Sequence, residues 1–224
     1  MKRLLIVGAG GFGREVAGYA MDVPAAARDW ELGGFLNSDP RALDGFECDY
    51  PILGDPLTFS LAENDVVVCA IGDPVGRLRL CRALQQRGAR FISLIHPTAG
   101  IARHTQIGEG CIVCPRSGVS TNVRLGSFVV VNGYTTIGHD AVLGDGCTLS
   151  SHCDVTGGAV LGEGVFLGSH ACVLPRARVG DYAVVGAGSV VLRRVRPHTS
   201  VMGVPARAIE SRQASRRRGS VPAI

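Results

Sequence analysis

No stretch of this chain comes near the ~20 uninterrupted apolar residues that a membrane helix needs, so nothing in it reads as spanning a bilayer. No secretory leader is expected either. The apolar run 4–7 is too short for a signal-peptide core, and glycines follow at once. The chain is therefore expected in the cytoplasm. Charge of either sign is not in excess. The formal net charge is +4, and Arg212, Arg216, Arg217 and Arg218, with no acid among them, account for all of it. A nucleic-acid surface is not expected from such a balance, and 211–224 reads as a solvated, disordered basic tail. A disulfide framework is excluded by position. The chain has eight cysteines, but Cys111, Cys147 and Cys153 fall on places that point into a core, where a thiol acts as a small hydrophobe. Cys111 and Cys114 have the spacing of half a metal site, and no second pair completes it. No metal is expected.

What the chain does have is a period. From Ile101 an aliphatic residue stands at every sixth place, through Ile107, Val113, Val119, Leu125 and Val131 and onward to Val185 and Val191, without a slip. The fifth place of each hexad, counted from that residue, is small or narrow, as in Cys111, Ser117, Val123, Thr135 and Ala141. Glycine often takes the second place, where it is expected to relieve the corner backbone. A fixed short period signals a solenoid, and one of six signals a β-helix. Three hexads close a coil, so residues eighteen apart stack one strand spacing apart, roughly 4.8 Å.

The residues ahead of the array follow a different plan. Residues 3–7 read as a buried strand, and Gly8-Ala9-Gly10-Gly11-Phe12-Gly13 leads into a helix starting at Arg14. A strand, a Gly-rich turn and a helix N-terminus together present backbone N–H groups to a phosphate. Further strands are expected at 30–36, 65–71 and 90–95, with a helix over 75–87, giving a parallel sheet. The second strand ends in Asn37, where an NAD site would have an acid. A nucleotide-linked ligand is the better expectation, held by Gly8, Gly10, Gly11, Gly13, Arg14 and Asn37, with Gly72 and Asp73 closing the crevice beyond the third strand. The chain thus divides into an α/β Rossmann-like domain over 1–95 and an all-β helix over 96–210.

Inside the array, polar residues that the repeat does not require stand out. His139 occupies the third place of its hexad and is followed by Asp140; eighteen residues on stands Gly157. An imidazole one coil from a glycine N–H suits acyl transfer, with a base to remove a proton and a donor to stabilise the oxyanion. Asp140 would orient the ring, and Asn132 would bind an acceptor. His152 and His170, eighteen apart, continue a ladder with Tyr134 and Arg116. They lack a convincing third metal ligand.

The hexads, followed by Gly203-Val204-Pro205-Ala206-Arg207, resemble the left-handed β-helix acyltransferases. With the turn V-G-A-G-G-F-G-R-E and the linker L-I-H-P-T-A, the chain is similar to the bacterial sugar O-acyl/N-acetyltransferases. That family includes sialic acid O-acetyltransferases and the enzymes acetylating UDP-, GDP- or dTDP-linked 4-amino sugars. The resemblance implies a left-handed parallel β-helix and a homotrimer with active sites between subunits. It also implies acetyl-CoA as donor, a nucleotide-linked amino sugar as acceptor, and a place in surface-glycan or O-antigen synthesis. It makes His139 the base, Asp140 its partner and Gly157 the oxyanion donor, and assigns Gly168, Gly186, Ala187 and Gly188 to the groove for the pantetheine arm. One departure stands at Thr148, where relatives often carry a histidine able to contact the sugar. Three readings compete with N-acetylation of a nucleotide-linked amino sugar: O-acetylation of a sialic acid or polysaccharide sugar, a non-catalytic nucleotide-binding scaffold, and, remotest, a metal-dependent hydratase.

Overall fold

The computed structural model describes residues 1–209; the basic tail expected over 211–224 lies outside them. The chain opens with a four-stranded parallel sheet built from β1 (Lys2–Val7), β2 (Trp30–Leu36), β3 (Ile52–Gly54) and β4 (Asp65–Cys69), in the order β3-β2-β1-β4. Helix α1 (Gly11–Asp22) shares a core with Leu4, Ile6, Val66 and Val68, and helix α2 (Pro74–Gln86) shares one with Leu5, Val7, Val67 and Cys69. Alternate strand residues thus feed opposite faces, as the period of two requires. The strand expected over 90–95 does not join this sheet. Phe91 makes a single bridge to Val67, and Leu94–Ile95 pairs instead with Ile112–Val113. The fourth strand is β3, a three-residue edge element. The second domain therefore begins at Leu94–Ile95, slightly ahead of the expected boundary at 95/96.

That second domain is a left-handed parallel β-helix, a triangular prism of three parallel sheets. The first face holds Ile112–Val113, Val130–Val131 and Thr148–Leu149; the second holds Gly118–Val119, Thr136–Ile137 and Asp154–Val155; the third holds Arg124–Leu125, Val142–Leu143 and Val160–Leu161. Residues eighteen apart pair, as Val131 does with Val113 and Leu149. The first-place aliphatics from Val113 to Val191 fill the interior with almost no exposed surface, each contributing about 1.5–3 kcal/mol. Ile101 is exposed at the open beginning of the prism. After Val191 one corner is two residues short: Val195 follows four places later instead of six, so Val195 pairs with Val179 and Val201 with Val185, sixteen apart rather than eighteen. Arg207–Ala208 then pairs antiparallel on Ser200–Met202.

Two details differ from the expected role of the repeat. Second-place glycines do not bend the corner. Their neighbours in the next coil come too close for a side chain: a Cβ at Gly108 would lie 2.6 Å from the backbone of Gly126 and Ser127, and one at Gly138 2.7 Å from the Gly157 nitrogen. The left-handed bend falls two residues later, at the fourth place. Non-glycine residues often occupy it, including Asn122, Phe128, Tyr134, Asp140, His152 and His170, with φ of 57–62°. Each such residue costs about 1–2 kcal/mol. An N–H from each coil offsets this by reaching the third-place carbonyl of the coil before, as Asp140 does to Thr121 at 3.1 Å. The small fifth-place residues also do more than fit: the Ser117 and Thr135 hydroxyls and the Cys111 and Cys147 thiols donate to carbonyls at 2.9–3.1 Å.

The amino-terminal domain sits on the first face and on the edge where the third face turns into the first. Ile112, Cys114 and Val130 on the first face join the core of α1. Phe128 on that edge joins the core of α2.

Candidate active site

His139 lies on the edge between the second and third faces, away from the amino-terminal domain. Its side chain and that of Asp140 are 66% and 57% exposed, and its Nδ1 is 2.7 Å from Asp140 Oδ2. The left-handed conformation of Asp140, φ 61°, carries its carboxylate back to the ring. Asn122, one coil earlier, donates to Asp140 Oδ1 at 3.3 Å. Hydrogen bonds first from His139 and then from Asn122 hold the Asp140 carboxyl below the usual carboxylate range, so it is ionised at neutral pH. With Nδ1 engaged, Nε2 is the free ring nitrogen, and it faces Gly157. A Cβ built on Gly157 would stand 2.7 Å from Nε2, so only glycine leaves room for the ring. The Gly157 N–H makes no hydrogen bond among the described residues. His139 itself is fixed through its carbonyl, which accepts from the Gly158 N–H at 2.8 Å. Next to this edge, a largely apolar hollow of 560 Å³ on the second face is lined by Ile101, Val119, Ile137, Gly138 and Asp154.

The Gly-rich turn is built for close approach. Gly8 has φ +99°, and a Cβ at Gly13 would strike the Gly8 carbonyl oxygen, whereas Gly10 and Gly11 face open space. Gly10 caps α1 without a side chain, leaving first-turn N–H groups free to meet an anion. Asn37 braces the turn. Its Oδ1 accepts from the Ala9 N–H at 3.2 Å, and its Nδ2 donates to the Asp39 carbonyl at 2.9 Å. Arg14 lies 3.6 Å over the Phe46 ring and donates to the Ala9 carbonyl. Asp73 caps α2 by accepting from the Gly76 N–H at 2.6 Å. Gly72 borders a 360 Å³ cavity between the domains, with Phe12, Glu15, Asn132, Thr148 and Ser150.

That cavity separates two expectations. Asn132 belongs to it and not to the His139 edge: it stands where the first face turns into the second, with its Nδ2 donating to the Leu149 carbonyl at 2.8 Å. Thr148 is buried, and its one proton goes to the Gly72 carbonyl while its oxygen accepts from Arg77 at 2.8 Å. The departure at Thr148 is therefore a domain contact, and its hydroxyl has no proton left for a sugar.

The expected groove residues are likewise divided. Gly157 lies beside His139, whereas Gly168, Gly186, Ala187 and Gly188 lie on the opposite edge of the second face, next to the ladder. The ladder itself is as the spacing suggests. Tyr134 and His152 stack with ring centroids 5.0 Å apart, and His152 and His170 stack at 4.8 Å and 2°. Among the described residues no three His, Cys, Asp or Glu side chains are grouped as metal ligands would be.

Sequence reasoning missed two polar anchors. Arg77 is fully buried and donates to the carbonyls of Phe128, Ile71, Gly72, Gly146 and Cys147 and to the Thr148 hydroxyl. Burial pushes its pKa down. It shares one helix face with Pro74, Leu78, Cys81 and Leu84, and a charge on an apolar stripe was the available signal. His96, also buried, lies 3.0 Å from Asp22 on α1 and 2.8 Å from Thr98.

Residues 3–84 match the model of the PglD N-terminal domain, and residues 158–193 match that of the bacterial transferase hexapeptide (six repeats). A search among curated proteins finds no match. Among solved structures, the chain is similar to PerB from Caulobacter crescentus in complex with CoA and GDP-perosamine, at 27% identity and TM-score 0.84, covering 94% of this chain and 98% of that one. It is similar to the acetyltransferase domain of PglB from Neisseria gonorrhoeae FA1090, at 27% and 0.84, covering 93% and 100%. It is also similar to WeeI from Acinetobacter baumannii AYE, at 26% and 0.80, covering 93% and 100%.

Proposed function

This chain is a hexapeptide-repeat sugar acyltransferase, and from that premise we propose that it transfers acetyl from acetyl-CoA to the amino group of a nucleotide-linked 4-amino deoxy sugar. The observation that carries this reading is the exposed His139–Asp140 pair, whose free Nε2 stands beside Gly157, a glycine with no acceptor for its N–H among the described residues. In the proposed reaction the acceptor nitrogen attacks the thioester carbonyl carbon while His139 Nε2 takes its proton. The Gly157 N–H stabilises the oxyanion. The tetrahedral intermediate collapses by breaking the C–S bond, and the departing thiolate recovers the proton from the imidazolium. Asp140, ionised and fixed by Asn122, holds the tautomer that leaves Nε2 unprotonated at the start. The apolar hollow beside Ile137 gives the thioester an apolar surface to lie against.

The nucleotide is assigned to the Gly-rich turn between β1 and α1. That turn belongs to the domain covering the first face, and His139 stands on the edge opposite that face. One chain therefore turns its acceptor site and its base in different directions. This supports a homotrimer in which His139 of one copy serves an acceptor held by another.

The test is thiol release from acetyl-CoA over a panel of UDP-, GDP- and dTDP-linked 4-amino sugars, with the 4-hydroxy sugars alongside. The expected result is release with an aminated member only. Release with the hydroxy sugars alone would replace N-transfer by O-transfer, and no release with any member would leave a binding scaffold.

A further inference from the structure

The ladder on the edge between the first and second faces is not used by the mechanism. Its members occupy the fourth place of successive coils, so the backbone sets one ring above the next. Arg116 donates to the Tyr134 hydroxyl at 3.1 Å and starts the column. The Tyr134, His152 and His170 rings follow within 6° of parallel. All are exposed. The next fourth place is Gly188, in the same left-handed conformation at φ +65°, and a Cβ built there meets nothing within 4 Å. The stack therefore ends on an uncovered imidazole face. The position above it has the backbone of a ladder rung, lacks a side chain, and is flanked by open space.

A column of parallel rings ending beside a glycine gap is a place for one more flat ring. Stacking against a planar heteroaromatic is sequence-tolerant and favourable, and the two rings beneath hold His170 in orientation. Gly188 belongs to the segment Gly186-Ala187-Gly188, which the family resemblance assigns to the groove for the donor's pantetheine arm. Resting on our functional reading, we propose that the face of His170 above Gly188 is a shelf on which the adenine ring of acetyl-CoA stacks. The shelf and His139 stand on the two edges of one prism face, so a donor engaging both either crosses that face or spans two copies.

The experiment measures Kd by calorimetry on the full chain for coenzyme A and for 4′-phosphopantetheine, which lacks the adenosine. His170→Ala is expected to weaken coenzyme A binding about 5–10-fold and to leave 4′-phosphopantetheine unchanged, while His170→Tyr keeps wild-type affinity. Gly188→His fills the gap with a residue already seen at this φ in His152 and His170, so it should fold. It should weaken coenzyme A by a similar factor. Unchanged coenzyme A affinity in His170→Ala overturns the shelf, and so does an equal loss for both ligands. A change of oligomeric state in His170→Ala would assign the ring to a subunit contact instead and also overturn it. If the wild-type chain binds neither ligand, the donor assignment itself falls.

Discussion

Two edges of one prism are made of the same hexads and do opposite things. On the edge between the third and first faces, the amino-terminal domain covers the corner, and charged groups there are tied up internally. Arg77 is buried among carbonyls, and Glu163 is tied to Arg82 at 2.7 Å and to Tyr182. On the edge between the second and third faces nothing among the described residues covers the corner, and His139 keeps one ring nitrogen free. The repeat supplies identical backbone to both. Chemistry is left available only where a polar residue at the third place meets a glycine one coil on and no second domain closes over it.

The strongest way to break this contrast is His139→Ala, which should lower the acetyl-transfer rate about 10²–10⁴-fold with the melting temperature and coenzyme A affinity unchanged. Arg77→Met should do the reverse. It removes the donor to five carbonyls, of which only Gly72 and Cys147 keep another, and should cost about 3–5 kcal/mol in stability, read as a fall in the denaturation midpoint. Retained stability there would mean that the edge is not a clamp. Gly157→Ala places a methyl group on the imidazole and should slow turnover about 10–100-fold, again with little change in melting. A wild-type rate would show that the ring does not need that position. The smallest effect concerns Glu163, whose carboxyl is held below its ordinary range by hydrogen bonds from Arg82 and Tyr182. A carboxyl depressed in the folded state adds stability above its unfolded pKa, about 4.3, and loses it as pH falls through the lower folded value. Arg82 and Glu163 are partly exposed, so Glu163→Gln should cost less than about 1 kcal/mol at neutral pH. The difference from wild type should vanish in acid.

How far the chain was legible follows from the same distinction. The hexad is periodic, so register, interior residues and the stacking of His139 on Gly157 follow from counting. The His152–His170 ladder follows equally. Counting assigns a residue to a face or an edge, but it cannot say what will pack there. The coil places of Thr148 and Asn132 therefore follow from counting, whereas their neighbours in the cavity between the domains do not. The edge strand β3 has only three residues and a register shift at Leu36, too little pattern for alternation to show. Residues 90–95 carry strand-like side chains, yet the first rung of the solenoid takes Leu94–Ile95, a preference that depends on a partner eighteen residues away.

The shortened corner after Val191 changes what the end of the prism can do. A solenoid of uniform coils ends in three rows of unpaired backbone groups, and any second prism of the same cross-section would fit onto them, so such a protein is a seed for its own filament. Here the count of six fails before the chain leaves the prism, and the last strand runs against the grain of the others. Among the described residues, the next prism would find a mismatched triangle with one side already hydrogen-bonded, an end that is a poor template for another copy.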